Sequence, residues 1–200
     1  MDIFLALKQN LPSVQENVPL KNHTTFRIGG PARYFFAAQT EEDIQKAVQA
    51  AKELKLPFLI LGGGSNILAS DQGFSGLVIK IQNTEYKIPL DSARGRQDTT
   101  VYAQAGVPMA TLVQETGKHG LSGLEWAGGL PGTVGGAIRG NAGAFEGETK
   151  DCVVEVKVLN EKGEVEVFSK EQCKFAYRSS LFKQKKFCGA FGNFEIERGR

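Results

Sequence analysis

Gly62-Gly63-Gly64-Ser65-Asn66 follows directly on a short apolar run, Phe58 to Leu61, and joins three bare backbone units to two small polar side chains. On a turn, such a loop presents N–H groups with nothing in front of them, which suits a phosphate or pyrophosphate. The plain alternative is a tight turn, since short glycine motifs also arise by chance. Two familiar phosphate loops are excluded. Ile67 stands where a G-x-G-x-x-G fingerprint needs its third glycine, and Gly117-Lys118-His119 lacks the hydroxyl residue and has Leu112 in the leading position of a P-loop. A second stretch runs from Gly128 through Gly129, Gly132, Thr133, Gly135 and Gly136 to Ala137, and seven of the chain's 24 glycines fall between Gly128 and Gly143. Glycine inside a helix costs ~1 kcal/mol against alanine. Its repeated use favours close approach of a ligand over a helix packed through small residues. Phe175 to Lys183 sets Arg178 among aromatics. A partly desolvated arginine there offers a fixed fork of donors to a carboxylate or a developing oxyanion, the alternative being a surface arginine lying over Tyr177 or Phe182. His23 and His119 have no acidic or second histidine neighbour at ligand spacing, so both read as structural. Cys152, Cys173 and Cys188 form no CxxC pair and indicate neither a disulfide framework nor a zinc site.

These residues need elements to hold them. Residues 1–9 read as a short helix, and Asn10 to Asn22 as a lead without periodicity. Arg33 to Ala38 is strand-like. Thr40 with Asp43 three residues on, then Ile44, Ala47, Val48, Ala51 and Leu54, predicts an amphipathic helix over 41–55. Phe58 to Leu61 and Leu77 to Ile81 are strand candidates, so the glycine loop closes a strand–helix–strand unit. Asp91 to Asp98 reads as a loop or a boundary. A strand over Val101 to Ala105 and a helix over 108–118 follow. Val154, Val156 and Val158 turn through Glu161-Lys162-Gly163 into Val165 and Val167, a hairpin with one wet face. A last strand falls near Ala190 to Glu197. The mixture is α+β, divided as a lead at 1–22, one subdomain at 23–82 and a second at 83–200.

Composition narrows the function. Against 22 acidic residues stand 24 basic ones, a net charge of +2, with 41% hydrophobic residues. A chain of this size buries roughly 70% of its unfolded surface. No basic run exceeds Lys185-Lys186, so nucleic acid is not an expected partner. The longest apolar stretch, Leu56 to Leu61 interrupted by Pro57, falls far short of the ~20 residues of a membrane span. The run Ile3 to Leu7 is too short for a signal h-region of ~7–15 residues. A cytoplasmic protein without a membrane association is expected, with no protein partner specified.

In sequence order, Asn22 to Ala32, Leu61 to Asn66, Gly73 to Ile79, Gly123-Leu124-Glu125, Leu130 to Ala137, Gly140 to Ala144 and Tyr177-Arg178 resemble the UDP-N-acetylenolpyruvoylglucosamine reductase (UDP-N-acetylmuramate dehydrogenase) family of bacterial peptidoglycan synthesis. The resemblance implies a two-subdomain FAD-binding fold of the vanillyl-alcohol-oxidase (PCMH) type. It further implies that Gly62, Gly63, Gly64, Ser65 and Asn66 hold the FAD pyrophosphate. Gly129, Gly132, Thr133, Gly135, Gly136, Ala137, Asn141, Ala142 and Gly143 would line the rest of the cofactor. In that family NADPH supplies the hydride, which reaches the enolpyruvyl double bond of UDP-N-acetylglucosamine enolpyruvate. Tyr177 and Arg178 match the substrate-binding segment, Arg178 being the catalytic arginine that polarises the substrate carboxylate. No metal is implied.

One departure bears on the expectation. Family members continue into a third domain carrying a serine proton donor and a glutamate, and the 22 residues after Arg178 resemble neither segment. The chain is therefore expected to be an incomplete form that binds FAD and turns over poorly alone. Another oxidoreductase on the same fold, such as an oxidase, or a flavin-free interaction module are the competing expectations.

Overall fold

The computed structural model describes residues 2–89, 98–160, 163–184 and 189–198. Most of the expected Asp91 to Asp98 loop, the Glu161-Lys162 pair and Cys188 lie outside the described residues. Asp2 caps α1 (Ile3–Asn10) by accepting from the Phe4 and Leu5 N–H groups. The stretch expected to lack regular structure then forms β1 (Gln15–Pro19), paired antiparallel with β2 (Pro31–Ala38). The reason is tertiary. Leu7, Leu11 and Val14 are buried in one apolar cluster with Tyr34, Phe36 and Ile44, so this segment is built into the first lobe and is not a lead to it.

α2 (Glu41–Glu53) carries the reciprocal cap expected from Thr40 and Asp43. Thr40 Oγ1 accepts from the Asp43 N–H at 3.1 Å, and the Asp43 carboxylate accepts from the Thr40 N–H at 3.0 Å. Ile44, Ala47, Val48 and Ala51 are buried at helical spacing. β3 (Phe58–Leu61) and β4 (Phe74–Ile81) complete the first sheet in the order β1-β2-β4-β3. β4 runs parallel to both neighbours. β2 and β3 flank β4 and run parallel to it, and α2 is the crossover that joins them. On the other face of the sheet a smaller cluster holds Leu20, Ala32, Phe35, Leu61 and Val78.

The second lobe comprises β5 (Tyr86–Lys87), β6 (Asp98–Ala103), α3 (Met109–Lys118), β7 (Leu121–Ser122), α4 (Val134–Gly140), β8 (Gly143–Ala144), β9 (Gly147–Glu148), α5 (Thr149–Cys152), β10 (Val153–Leu159), β11 (Val165–Ser169), α6 (Leu181–Gln184) and β12 (Gly189–Arg198). Its antiparallel sheet is ordered β11-β10-β12-β6-β5, with β7 also on β12. Val101, Met109, Leu112, Val134, Ile138, Val156 and Val158 fill the core between sheet and helices.

The expected valine hairpin is β10 and β11, but its faces differ from the simple alternation. An irregularity where β10 pairs with β12, between Val153 and Glu155, turns Val153 and not Val154 into the core. Val156 and Val158 point into the core opposite Phe168 and Glu166, while Val165 and Val167 are exposed. The lobes share core: Ala105 and Leu159 of the second are buried in the cluster of the first, and Lys157 Nζ lies 2.9 Å from Glu41 Oε2 at the start of α2.

Candidate functional site

β3 ends at Leu61 and releases the chain directly into the 62–66 loop. Two bonds brace this loop from the first lobe. The Thr25 N–H donates to the Gly64 carbonyl at 3.1 Å, and Lys80, opposite Leu61 on β4, donates from Nζ to the Gly62 carbonyl. Gly64 adopts φ +74°, and a Cβ there would collide with the His23 carbonyl oxygen. His23 is itself fixed by stacking on Phe35, ring centroids 4.4 Å apart. Burial, then the Lys80 charge, pulls the His23 imidazole pKa down; burial alone lowers that of the Lys80 ammonium.

The second glycine stretch lies against the first across the lobe boundary. Ser65 Oγ donates to the Pro131 carbonyl at 3.2 Å. A Cβ added to Gly63 would stand 3.1 Å from Gly132 Cα, and one added to Gly62 would stand 2.8 Å from Thr133 Oγ1. The stretch is pinned from behind, because Met109 N–H donates to the Gly132 carbonyl while the Val134 and Gly135 N–H groups donate to the carbonyls of Val107 and Ala105. Gly129 faces open space, an added Cβ meeting nothing within 4 Å. The seven-residue α4 begins there and carries Gly135, Gly136 and Ala137 in its first turns.

Donors are left over at this meeting point. Among the described residues, no acceptor meets the N–H groups of Gly63, Gly64, Ser65, Asn66, Gly132 or Thr133. Thr133 Oγ1 is buried without a hydrogen-bond partner. A buried hydroxyl left unpaired costs about 1–3 kcal/mol, and clustered free N–H groups form an anion nest. A dinucleotide carrying a diphosphate and further polar atoms fits this donor set.

At the other end of α4 the chain positions Tyr177 and Arg178. Asn141, buried and at φ +43°, spends its whole side chain on protein partners: Nδ2 donates to Glu148 Oε2 at 2.9 Å and to the Ala176 carbonyl at 3.0 Å, and Oδ1 accepts from the Lys150 N–H at 3.0 Å. Ala142 N–H is likewise committed to the Ala137 carbonyl, and Gly143 pairs with Glu148 in β8–β9. Ala176 and Ser179 bond reciprocally, at 2.9 and 3.0 Å, which places Tyr177 and Arg178 at the tip of a tight reversal. Ser180 Oγ donates to the Arg139 carbonyl at 2.8 Å. Arg178 is exposed, its guanidinium 5.8 Å from the centre of the Tyr177 ring, itself 82% exposed. Glu148, hydrogen-bonded first to Lys150 and then to Asn141, is held below the usual glutamate range.

The predicted residues thus form two groups joined by α4: 62–66 with 129–137, and Asn141 to Gly143 with Tyr177 and Arg178. Lys80, Thr25 and His23 also belong to the first group: by sequence Lys80 had no assigned role, Thr25 entered only within the Asn22 to Ala32 resemblance, and His23 read as structural. The pattern Leu77-Val78-Ile79-Lys80-Ile81 reads as a strand with one polar position, and only the parallel pairing with β3 brings its ammonium to the loop. Among the described residues, Cys152 and Cys173 are buried, and burial pushes the Cys173 thiol to about 12. Among the described residues there is no group of three metal-ligating side chains and no helix long and apolar enough to cross a membrane.

Comparison with known proteins agrees with this donor set. The FAD binding domain family matches residues 32–169. The UDP-N-acetylenolpyruvoylglucosamine reductase of Alkaliphilus oremlandii is 38% identical over 198 residues, covering 98% of this chain and 63% of that protein. That of Carboxydothermus hydrogenoformans is 43% identical over 173 residues, covering 86% and 55%. The crystal structure of UDP-N-acetylenolpyruvylglucosamine reductase from Thermus caldophilus superposes with a TM-score of 0.76 at 32% identity, over 92% of this chain and 63% of that one. A VAO-type flavoprotein of Myceliophthora thermophila, at 17% identity and TM-score 0.65 over 83% of this chain and 32% of its own, shares the fold. The expected α+β FAD-binding fold of the vanillyl-alcohol-oxidase type is therefore present. The chain spans 63% and 55% of the length of these two curated relatives.

Proposed function

The chain belongs to the FAD binding domain family, and from that premise we propose that it holds FAD for the NADPH-driven reduction of UDP-N-acetylglucosamine enolpyruvate to UDP-N-acetylmuramate, a cytoplasmic step of peptidoglycan precursor synthesis. The observation that carries this reading is the meeting of two glycine loops from different lobes with their N–H groups and Thr133 Oγ1 unspent. The N–H groups of Gly63, Gly64, Ser65 and Asn66 would hold the diphosphate. Thr133 and the open backbone at Gly129 and Gly132 would hold the adjoining part of the cofactor. A bound flavin would supply the hydride chemistry that links NADPH to the enolpyruvyl double bond.

Arg178 has the separate task of the substrate carboxylate. Its guanidinium gives two parallel donors to that group and stabilises the negative charge that develops as the double bond is reduced. Asn141 serves it indirectly, since its bond to the Ala176 carbonyl fixes the reversal from which Arg178 projects. Tyr177, beside it, offers an aromatic surface to the same ligand.

The test is the visible spectrum of the purified chain with FAD under anaerobic conditions, before and after NADPH and again after the enolpyruvyl nucleotide. Bound flavin that bleaches with NADPH supports the reading, and reoxidation on adding the nucleotide supports the substrate. Colourless protein that takes up no FAD overturns it. Flavin indifferent to NADPH but reduced by an alcohol or a sugar would make the protein an oxidase instead.

A further inference from the structure

Lys80 is a half-buried cation on an otherwise apolar stretch of β4, and its ammonium donates to the Gly62 carbonyl. Among the described residues it has no carboxylate within ion-pair distance: the ion pairs involve Lys46, Lys118, Lys150 and Lys157. Burying a charge without a counter-charge is expensive, and His23, the imidazole that feels the Lys80 charge, offers no negative charge to offset it. Folding alone therefore gives no reason for a lysine at this position.

The peptide geometry gives one. There is no cis peptide bond among the described residues, and in a trans peptide the carbonyl of one residue and the N–H of the next point in opposite directions. The Gly62 carbonyl is drawn toward Lys80, so the Gly63 N–H points away from it. The Gly64 carbonyl is held by the Thr25 N–H, so the Ser65 N–H points away from that side as well. Both N–H groups lack a protein acceptor among the described residues. Lys80 thus fixes the direction of a donor while leaving its positive charge behind the loop that bears it.

Building on the flavin reading, we propose that Lys80 is a positioning residue for the cofactor diphosphate: it orients the Gly62–Gly63 peptide and supplies from behind the loop the positive charge that the bound diphosphate neutralises. The missing counter-ion of Lys80 is then the ligand. The residue lies outside the glycine motif and acts through it, without direct contact with the cofactor.

FAD titration of the 200-residue chain, followed by quenching of flavin fluorescence at several salt concentrations, tests this against Lys80→Met and Lys80→Arg. Lys80→Met keeps the length of the side chain and removes both donor and charge, and should raise the FAD Kd on the order of tenfold. The wild-type Kd should climb with salt more steeply than that of Lys80→Met, because a charge contribution is screened and a packing contribution is not. Lys80→Arg should recover most of the affinity and the salt slope. An unchanged Kd in Lys80→Met overturns the proposal, as does a loss with the wild-type salt slope, which would make Lys80 a loop support only. Should Lys80→Met fail to fold by circular dichroism, the neutral Lys80→Gln is titrated in its place with the same expectation. A wild-type chain that takes up no FAD overturns the flavin reading and this role with it; FAD binding beside an unaffected variant overturns this role alone.

Discussion

At the scale of single residues, Gly64 and Arg178 make opposite demands. Gly64 combines φ +74° with a His23 carbonyl in the place of its missing side chain, so Gly64→Ala must both strain the backbone and displace the loop. The expected cost is about 1–3 kcal/mol of unfolding free energy in a denaturant titration, accompanied by weaker FAD binding. Arg178 is exposed at the tip of its reversal, in the group at the far end of α4 from the first glycine loop. Arg178→Ala should leave FAD affinity unchanged and weaken binding of the enolpyruvyl nucleotide to the flavin-loaded chain about tenfold or more, measured by calorimetry. A loss of FAD binding in that variant would contradict the separation of the two tasks. The sequence draws attention to both residues, to the first by three consecutive glycines and to the second by the match of Tyr177-Arg178 to the family segment. Lys80 was illegible because its partner is a backbone carbonyl on another strand, and no side-chain pattern marks a carbonyl. Asn141 enters the expected cofactor lining only through the family resemblance; in the fold its amide bonds Glu148, the Lys150 N–H and the Ala176 carbonyl.

At the scale of elements, legibility followed how local the stabilising interactions are. α2 announces itself because its cap, its apolar stripe and Pro57 beyond its end lie within 18 residues of sequence. Its capping box is open to a direct test: Thr40→Ala removes the acceptor for the Asp43 N–H and should cost about 1 kcal/mol in urea unfolding without altering FAD affinity. β1 has no such local signal. Gln15, Glu16 and Asn17 carry no apolar alternation, Asn17 takes a positive φ of 56°, and the strand exists because β2 offers it an edge. The hairpin was recognisable by its valines, but the irregularity where β10 pairs with β12, between Val153 and Glu155, buries Val153 where alternation from Val156 and Val158 points to Val154.

At the scale of the whole molecule, the question is whether the two lobes respond to the cofactor as one. Three couplings cross the boundary: Ala105 and Leu159 in the first lobe's core, the Lys157–Glu41 pair, and the Ser65 bond to the Pro131 carbonyl between the two glycine loops. The pair alone is worth little, because partly exposed ion pairs typically contribute about 0–1 kcal/mol. The shared core is the stronger link, since removing either lobe would expose apolar surface on the other. A single thermal transition is therefore expected from the free chain. A ligand seated where both loops meet binds only the joined state, so at a free concentration near 100 times Kd it should add roughly 2.7 kcal/mol. For a chain of this size that corresponds to a rise of roughly 5–10 °C in Tm. Differential scanning calorimetry with and without FAD checks the prediction. One transition that moves as a whole is the expected result, whereas two transitions of which only one moves would confine the cofactor to a single lobe and contradict the site built from 62–66 and 129–137.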